Sequence, residues 1–557
     1  MKQTLRLLPV IGLLCAVSFG AGAFLNGPAE VPITQEAIRG AETLFGLTFT
    51  DAERDSLLSG LQEQRNDYES IRKVSLPNDV APALLFNPVP PGMTFDRTRK
   101  PFKASSPGKV ELPANRDDLA FYSVHQLSRL IHDRKITSLE LTRFCLERLK
   151  AYGPKLECVV SLTEELALAQ AQKADTELKA GKDRGLLHGI PYGAKDLFAK
   201  GGYKTTWGSV PYKEQVLDED ATVIAKLEAA GAVLVAKLTM GELAMGDVWF
   251  GGTTRNPWNI KQGSSGSSAG SGAAVAAGLV PFALGTETLG SIVSPATVCG
   301  VTGLRPTFGR VSRAGAMALS WSMDKIGPMC RTVEDCAIVF NAIYGPDGKD
   351  LTVADLPFNY DPSVKLKGLR VGYLKKDFER DYPSKSFDST ALARLRGMGV
   401  ELVPLELPEL PVRDLTFIIS VEAAAAFDEL TRSGRDDLMV RQGRGAWPNI
   451  FREGQLASAV QYLQANRVRS LLIGQMAEKL KDIDVYVAPS RGGTANLPLT
   501  NLTGHPCVTI PNGFTAAGTP VSITFVGQLY GEARMLAAAK AYQDATDFHK
   551  KHPNLVW

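Results

Sequence analysis

Residues 263–292 read GSSGSSAGSGAAVAAGLVPFALGTETLGSI, and this stretch does most to decide the fold. Residues 263–272 are glycines, serines and one alanine, a composition that on its own is typical of a flexible linker. The run continues directly into small apolar residues at 273–278, which predict a helix, and into 280–284, which predict a buried strand. Because linkers do not usually lead straight into such elements, we interpret 263–272 as part of a folded core.

The sequence around this stretch alternates short apolar runs with segments of helical spacing. A helix over 223–230 is followed by Gly231 and by a buried strand over 232–236. Residues 416–480 are predicted to be largely helical, and 532–546 to form a final helix. Further strands are predicted at 369–374, 400–405, 484–488, 507–510 and 521–526. This alternation predicts an α/β fold, in which a β-sheet is covered by helices.

The charge composition does not indicate a nucleic-acid partner. The 557 residues include 62 lysines and arginines against 59 aspartates and glutamates, so the net charge is only +3. A hydrophobic content of 44 % and a charged content of 22 % are ordinary for a globular protein. We therefore expect a globular protein that does not bind nucleic acid.

The N-terminus has the pattern of a secretory signal peptide. Lys2 and Arg6 precede an uncharged apolar stretch, 7–24, and the small residues 21–23 fit a signal-peptidase site. We predict a cleaved signal peptide over 1–23 and an exported chain, periplasmic or extracellular. The apolar stretch of about 18 residues could instead just span a bilayer as an uncleaved anchor. If the segment is not a signal, the chain is expected to be cytoplasmic.

Three segments follow the predicted signal peptide. Residues 24–75 are predicted to form a helical appendage, with two helices over 35–74, and TDAE at 50–53 has the form of a capping box. Residues 76–114 contain eight prolines and predict either an extended linker or an arm that lies on a surface. Residues 115–557 form the main domain.

Cleavage after residue 23 would leave six cysteines. An even number permits three disulfides, and Cys330 and Cys336 are one candidate pair. A chain of this length can form a core without disulfides, so the alternative is that most of the cysteines are buried thiols. Their spacings match no metal site.

A lysine and two serines supply the candidate chemistry. Lys195 lies in the motif GIPYGAKD, Ser267 in GSSAGS and Ser291 in GTETLGSI. A lysine that is removed from water has a lowered pKa, so its neutral amine can accept a proton. Such an amine next to a serine provides a base and a nucleophile without any histidine, which is typical of acyl transfer.

These motifs are similar to those of the amidase signature family. The resemblance covers residues 115–548 and implies the amidase signature fold, an α/β fold in which a large mixed β-sheet core is covered by helices on both faces. The matching segments are LHGIPYGAKD (187–196), GSSAGS (266–271), AAVAAGLVP (273–281), GTETLGSI (285–292), CGVTGLRPT (299–307), GRVSR (309–313), DKIGPM (324–329), RTVED (331–335), NLTGHP (501–506) and VTIPNG (508–513).

The resemblance implies a role for each member of the trio. Ser291 would be the nucleophile, Ser267 a bridging serine on a cis peptide bond, and Lys195 the base. The spacing of 24 residues between the two serines matches the family, whereas Ser264 in the bridging role would give 27. The oxyanion hole would consist of backbone N–H groups of Thr288, Leu289, Gly290 and Ser291.

The resemblance implies an amidase, a hydrolase that cleaves the C–N bond of a linear carboxamide through an acyl-enzyme. The substrate would be a small-molecule or peptide amide, with no metal and no organic cofactor. No stable membrane partner is expected unless the N-terminal segment stays uncleaved, and a homo-oligomer is left open. Many relatives have glycine where this chain has Leu289, so the shape of the substrate is the part that the resemblance does not define.

Three alternatives remain. Within the family, the A subunit of a glutamyl-tRNA or aspartyl-tRNA amidotransferase uses the same residues to release ammonia from glutamine, and it needs partner subunits, ATP and tRNA. A chain that keeps the fold without catalysis would be a binding protein. Outside the family, GSSAG fits a nucleophile elbow, with Ser268 as nucleophile and His505 as the best-placed histidine. The elbow needs a strand before its serine, and 256–263 is a poor strand by sequence.

Overall fold

The computed structural model of the chain describes residues 32–493 and 495–556. The chain divides into two compact units, one ending at Pro77 and the other beginning at Asn78. The predicted signal peptide, 1–23, lies outside the described residues. In the part of the chain that is described, no helix is long and apolar enough to cross a membrane.

The described part of the first unit, from residue 32 onward, contains a pair of helices, α1 (Gln35–Phe45) and α2 (Asp51–Arg72), as the sequence predicts. The capping box at 50–53 is formed at the start of α2. Glu42 and Arg54 form an ion pair at 2.8 Å that joins the two helices. The charged pair and the cap stabilise a hairpin that has little apolar core of its own.

A mixed sheet of eleven strands forms the core of the second unit. In the order in which they lie side by side, the strands are β1 (Val159–Leu162), β3 (Val233–Leu238), β2 (Pro191–Lys195), β8 (Phe282–Glu287), β10 (Lys325–Cys330), β9 (Thr302–Arg305), β14 (Cys507–Phe514), β15 (Pro520–Gly527), β13 (Val485–Pro489), β11 (Val371–Leu374) and β12 (Leu402–Leu405). Outside this sheet, β4 (Val248–Trp249) pairs with β5 (Gly252–Thr253), and β6 (Arg255–Asn256) pairs with β7 (Asn259–Gly263).

Helices connect the strands and cover the sheet. In chain order they are α3 (Val124–His132), α4 (Ser138–Leu156), α5 (Glu164–Lys179), α6 (Thr222–Ala229), α7 (Ala269–Ala276), α8 (Val293–Cys299), α9 (Val333–Ile343), α10 (Lys375–Glu379), α11 (Lys385–Gly397), α12 (Phe417–Ala426), α13 (Asp428–Arg432), α14 (Trp447–Gln455), α15 (Ala459–Leu480), α16 (Asn496–Leu502) and α17 (Glu532–Asp544).

The sheet is buried on both faces. Val233 and Val235 of β3 belong to one apolar cluster, together with residues of α5 and α7, whereas Leu234 belongs to a second cluster that includes residues of α6, α9 and α17. Successive side chains of a strand point to opposite faces, so each face of the sheet packs against its own layer of helices. The predicted α/β fold, with a large mixed sheet covered on both faces, is confirmed.

The structure differs from the sequence prediction in the residues before Ser267. The sequence argues against a strand over 256–263, yet β7 occupies Asn259–Gly263. This strand pairs with β6 in a separate two-stranded ribbon, where Lys261 and Gln262 are exposed, so an apolar pattern is not needed to form it. The helix that follows begins at Ala269, before the predicted 273, and all of its residues are buried.

The proline-rich residues 78–114 contain no helix or strand and lie along the second unit. The backbone N–H of Lys103 donates to the carbonyl of Tyr360 at 3.2 Å, and that of Ser105 donates to the Glu334 carboxylate at 2.8 Å. Proline fixes φ and has no N–H to satisfy, which suits an irregular segment held by occasional contacts. In this structure the segment is an arm that packs on its own unit.

The six cysteines in the described part of the chain are free and buried. A disulfide between Cys330 and Cys336 is therefore not formed, and the interpretation of the cysteines as buried thiols is confirmed. Burial raises the pKa of Cys145 and Cys158 to about 12. These thiols are neutral at physiological pH and hence unreactive.

We expect Cys330 and Cys336 to react with an alkylating reagent only after unfolding, because both are fully buried as thiols. Native protein treated with iodoacetamide and mapped by mass spectrometry should carry no label at either position. Labelling in concentrated urea without a reductant should modify both. If labelling in urea required prior reduction, a disulfide would be present and the assignment of free thiols would be wrong.

Candidate active site

The candidate site lies at one edge of the main sheet. Strands β2 and β8 run parallel, with Ala194 opposite Leu284, so their carboxyl ends are neighbours. Strand β2 ends at Lys195 and β8 ends at Glu287. Functional groups commonly gather at the carboxyl ends of parallel strands, because the loops that leave the strands meet there.

Within the described chain, the side-chain amine of Lys195 has only hydroxyl groups as hydrogen-bond partners. Its Nζ lies 2.8 Å from Ser267 Oγ, 2.8 Å from Thr286 Oγ1 and 3.3 Å from Ser268 Oγ. Burial of the side chain lowers the pKa of Lys195 to about 7, although two more distant carboxylates oppose the shift. The arrangement therefore provides a neutral amine near physiological pH, in contact with a serine hydroxyl.

The neighbouring carboxylate of Asp196 does not bind Lys195. Asp196 Oδ1 instead forms an ion pair with Lys237 at 2.9 Å, and both side chains are fully buried. The other carboxylate oxygen accepts a hydrogen bond from the backbone N–H of Thr206 at 2.9 Å. Lys237 thus has the charged partner, and Lys195 is left with neutral ones.

Ser267 lies in a loop that packs tightly against another loop. The peptide bond between Gly266 and Ser267 is cis. A Cβ on Gly266 would lie 1.8 Å from the carbonyl oxygen of Gly246, so only glycine fits at this position. The carbonyl of Ser267 accepts a hydrogen bond from the N–H of Gly241 at 3.3 Å. These contacts fix the backbone from which the Ser267 hydroxyl reaches Lys195.

Ser268 joins the loops of the site to each other. Its Oγ donates to the carbonyl of Thr286 and accepts from the N–H of Thr286, both at 3.1 Å, and its own N–H donates to the carbonyl of Ser291 at 3.2 Å. His505 is buried with its ring 2.8 Å from Thr503 Oγ1, and burial lowers its pKa to about 3. The Ser268 hydroxyl is occupied by backbone partners, and the histidine bonds elsewhere, which disfavours the nucleophile elbow.

A buried carboxylate fixes the loop that carries Ser291. One oxygen of Glu287 accepts hydrogen bonds at 2.9 Å from the N–H groups of the two residues that follow Ser291. The other oxygen pairs with Arg305 at 2.7 Å and accepts from Asn501 at 2.9 Å. Burial opposes ionisation of Glu287, but Arg305 and these hydrogen bonds outweigh it and lower the pKa to about 2. The carboxylate is therefore charged and holds the loop in place.

The Ser291 loop presents unpaired backbone donors. In the residues that the structure describes, the N–H groups of Leu289, Gly290 and Ser291 have no acceptor. Gly290 has φ of +88°, a conformation that favours glycine. Thr288 is fixed by a hydrogen bond from its Oγ1 to Asp324 at 2.6 Å. A loop with free, fixed N–H groups is suited to stabilise a developing oxyanion.

The structure brings two of the three predicted catalytic residues into direct contact. Lys195 and Ser267 are in direct side-chain contact, whereas Ser291 lies in the adjoining loop, linked to the Ser267 loop through its backbone. Thr286 and Glu287 also lie in the motif GTETLGSI, but they are not among the residues predicted from the sequence. Which polar residue of a motif faces a given partner depends on strand direction, which the motif alone does not reveal.

A cavity of about 610 Å³ opens beside these groups, and its lining includes Thr286 and Thr288. Ligand pockets commonly have volumes of roughly 300–1,000 Å³, so a substrate-sized molecule fits. Ser291 is 8 % exposed and Leu289 is 37 % exposed, so the Ser291 loop is reachable from solvent. Across the described residues, no group of three histidine, cysteine, aspartate or glutamate side chains is arranged to hold a metal ion.

Sequence comparisons relate the chain to proteins of known activity. A family model described as Amidase matches residues 140–536. The A subunit of glutamyl-tRNA(Gln) amidotransferase from Roseiflexus sp. (strain RS-1) is 37 % identical over 468 residues, covering 76 % of this chain and 96 % of that protein. The protein of the same name from Coxiella burnetii (strain Dugway 5J108-111) is 34 % identical over 480 residues, covering 78 % of this chain and 99 % of that protein.

A comparison with solved structures also finds similarity to an amidase. The native peptide amidase from Stenotrophomonas maltophilia is similar with a TM-score of 0.69 and 30 % identity, covering 78 % of this chain and 99 % of that one. The match thus extends over nearly the whole of each relative, in sequence and in fold. The chain therefore belongs to the amidase family, and the motifs that resemble that family's signature contain the residues of the candidate site.

Proposed function

We propose that the chain hydrolyses the C–N bond of a carboxamide, with Ser291 as nucleophile, Ser267 as bridging hydroxyl and Lys195 as base. The observation that carries the proposal is the buried Lys195 amine, with its pKa lowered to about 7, at 2.8 Å from Ser267 Oγ. A lysine with an ordinary pKa of about 10.4 is protonated at neutral pH and cannot accept a proton. Burial among hydroxyl groups removes this obstacle.

The proposed reaction has two steps. Neutral Lys195 takes a proton from Ser267 while Ser267 takes one from Ser291, so that Ser291 Oγ forms a bond to the amide carbon. The N–H groups of Leu289 and Gly290 stabilise the resulting oxyanion. The proton returns through Ser267 to the leaving nitrogen, the C–N bond breaks, and an ester on Ser291 remains. Water, deprotonated through the same relay, then cleaves the ester and restores the serine.

We expect Ser291→Ala to lower kcat/KM for amide hydrolysis by on the order of 10⁴-fold or more, because no covalent intermediate can form. The measurement is ammonia release across a panel of primary amides, including glutamine. Ser264→Ala is the matched control, since this buried serine donates to the carbonyl of Ser265 at 2.9 Å and has no contact with Lys195. The control should stay within about threefold of the wild type. Equal losses in the two variants would contradict the assignment of the nucleophile.

We expect kcat/KM to rise with pH through about 7 and to reach a plateau above it, because Lys195 acts only in its neutral form and its pKa is about 7. Each pH unit below the pKa lowers the neutral fraction about tenfold. The profile should be measured from about pH 5 to about pH 10. Lys195→Arg should be inactive throughout, since a guanidinium stays protonated. A flat profile in the wild type, or one that falls as the pH passes 7, would show that another group is the base.

The amidotransferase relatives favour a second candidate function, in which the amide is that of glutamine and the ammonia passes to a partner. The chain spans 96 % of the Roseiflexus relative with 37 % identity, which exceeds the 30 % identity to the peptide amidase. The same three residues would serve both candidates, because each starts with attack on a carboxamide. The second candidate fits a cytoplasmic chain with partner subunits and tRNA, and the relatives give no support to the export that the N-terminus suggests.

Purification of the full-length chain from its own host distinguishes the two candidates. A chain that belongs to an amidotransferase complex should be recovered from the cytoplasmic fraction with partner subunits in fixed stoichiometry. Its release of ammonia from glutamine should increase when glutamyl-tRNA and ATP are added to that complex. A chain that is recovered alone and cleaves other amides at a rate that tRNA does not change would exclude the second candidate.

A further inference from the structure

The proline-rich arm forms one wall of the cavity beside the candidate site. Seven residues between Asp79 and Phe86 line it. The same lining includes Thr286, whose Oγ1 is 2.8 Å from Lys195 Nζ, and Thr288 of the Ser291 loop. The family match begins only at residue 140, so this wall is supplied by a part of the chain outside the matched region.

This segment, residues 78–86, belongs to the second unit, and both of its ends contact other parts of that unit. The side-chain amide of Asn78 donates to the carbonyl of Ala318 at 3.0 Å, and its oxygen accepts from the N–H of Ala318 at 2.6 Å. At the other end, the Arg469 guanidinium lies 3.6 Å from the centre of the Phe86 ring, which also meets the ring of Phe308 edge to face at 5.0 Å. The segment is therefore held against the cavity at two points.

The wall formed by the arm is apolar and uncovered. Leu84 is 69 % exposed and Leu85 is 53 % exposed, although both line the cavity. Apolar side chains also contribute to the rest of the lining, among them Leu197, Met317 and Ile326. An apolar group placed in the cavity would cover the two leucines, and the removal of apolar surface from water favours binding.

The charged residues of the lining leave its apolar part available to a bound group. Arg313 is paired with Asp350 at 2.8 Å, and the buried Lys325 donates to the carbonyl of Met323. The carboxylate of Asp324 accepts hydrogen bonds from Thr288 Oγ1 and from two backbone N–H groups. Asp79, Glu219 and Lys349 are exposed and remain hydrated. The apolar part of the lining is therefore what a bound group would contact without displacing an existing ion pair.

We propose that the arm forms the binding site for an apolar acyl group of the amide substrate, an aliphatic or aryl chain longer than the side chain of glutamine. This inference rests on the proposed function and names the substrate class of the same site. The acyl group is assigned to the cavity because it stays bonded to Ser291 through both steps, whereas the leaving amine must depart before water attacks. A cavity closed on one side by an attached arm suits the part of the substrate that stays.

The test compares octanamide with acetamide. In the wild type, kcat/KM for octanamide should exceed that for acetamide, and the double variant Leu84→Ser, Leu85→Ser should lower this ratio by about tenfold or more. Asn78→Ala, which detaches one end of the segment, should lower the ratio in the same direction. Leu112→Ser is the matched control, because Leu112 is an arm leucine that is 47 % exposed and lies outside the cavity lining, and it should leave the ratio unchanged.

Two results would overturn the inference. One is an unchanged ratio in the double variant. The other is a loss that affects N-octylacetamide instead of octanamide, which would place the apolar group on the leaving side.

A binding measurement separates failure of this inference from failure of the proposed function. Octanamide should bind to Ser291→Ala in calorimetry, and about tenfold more weakly when the two leucine substitutions are added. A wild type that hydrolyses no amide of the panel, glutamine included, would reject the proposed function, whereas this loss of binding would still support the acyl site. Equal binding by both variants, or no binding by either, would reject the acyl site.

Discussion

The arrangement of the site depends on keeping the Lys195 amine away from water and from any carboxylate that would hold its proton. Three hydroxyl groups lie within 3.3 Å of Nζ, and hydroxyl groups can donate or accept, so they satisfy the amine in either protonation state. A carboxylate at the same distance would stabilise the ammonium form and keep the pKa high. The fold avoids this because Asp196, the next residue, is bound by Lys237 and Thr206.

The charged carboxylate of the site, that of Glu287, is not a hydrogen-bond partner of Lys195 and has a structural role instead. Glu287 ends the strand next to that of Lys195, and its carboxylate holds the loop after Ser291 through two backbone N–H groups. Its partner Arg305 is fully buried, and the loss of either member of such a pair would leave an uncompensated charge in the core. The site therefore separates two tasks: a charged pair fixes the Ser291 loop, and a neutral network keeps the lysine available as a base.

Much of the fold followed from local patterns, while the contacts of the site did not. The strand Val233–Leu238 was predicted closely, because a short apolar run next to a helical segment has few other interpretations. The strand Asn259–Gly263 was missed, since a ribbon of exposed polar residues carries no apolar pattern. Motifs selected Lys195 and Ser267, but their contact joins positions 72 residues apart. The prolines of the arm allowed either a free linker or a segment lying on a surface, and the deciding contact of Asn78 is with a backbone 240 residues away.

Burial alone does not explain why Lys195 is suited to be the proposed base. Lys195, Lys237 and Lys325 are all buried, with at most 3 % exposed. Lys237 is held by its ion pair with Asp196. Burial and the nearby Arg305 also lower the pKa of Lys325 well below its usual range, but its Nζ donates to the carbonyl of Met323. Of the three, only Lys195 combines a lowered pKa with a serine hydroxyl within hydrogen-bond distance, so its suitability as the proposed base depends on its neutral partners as much as on its distance from water.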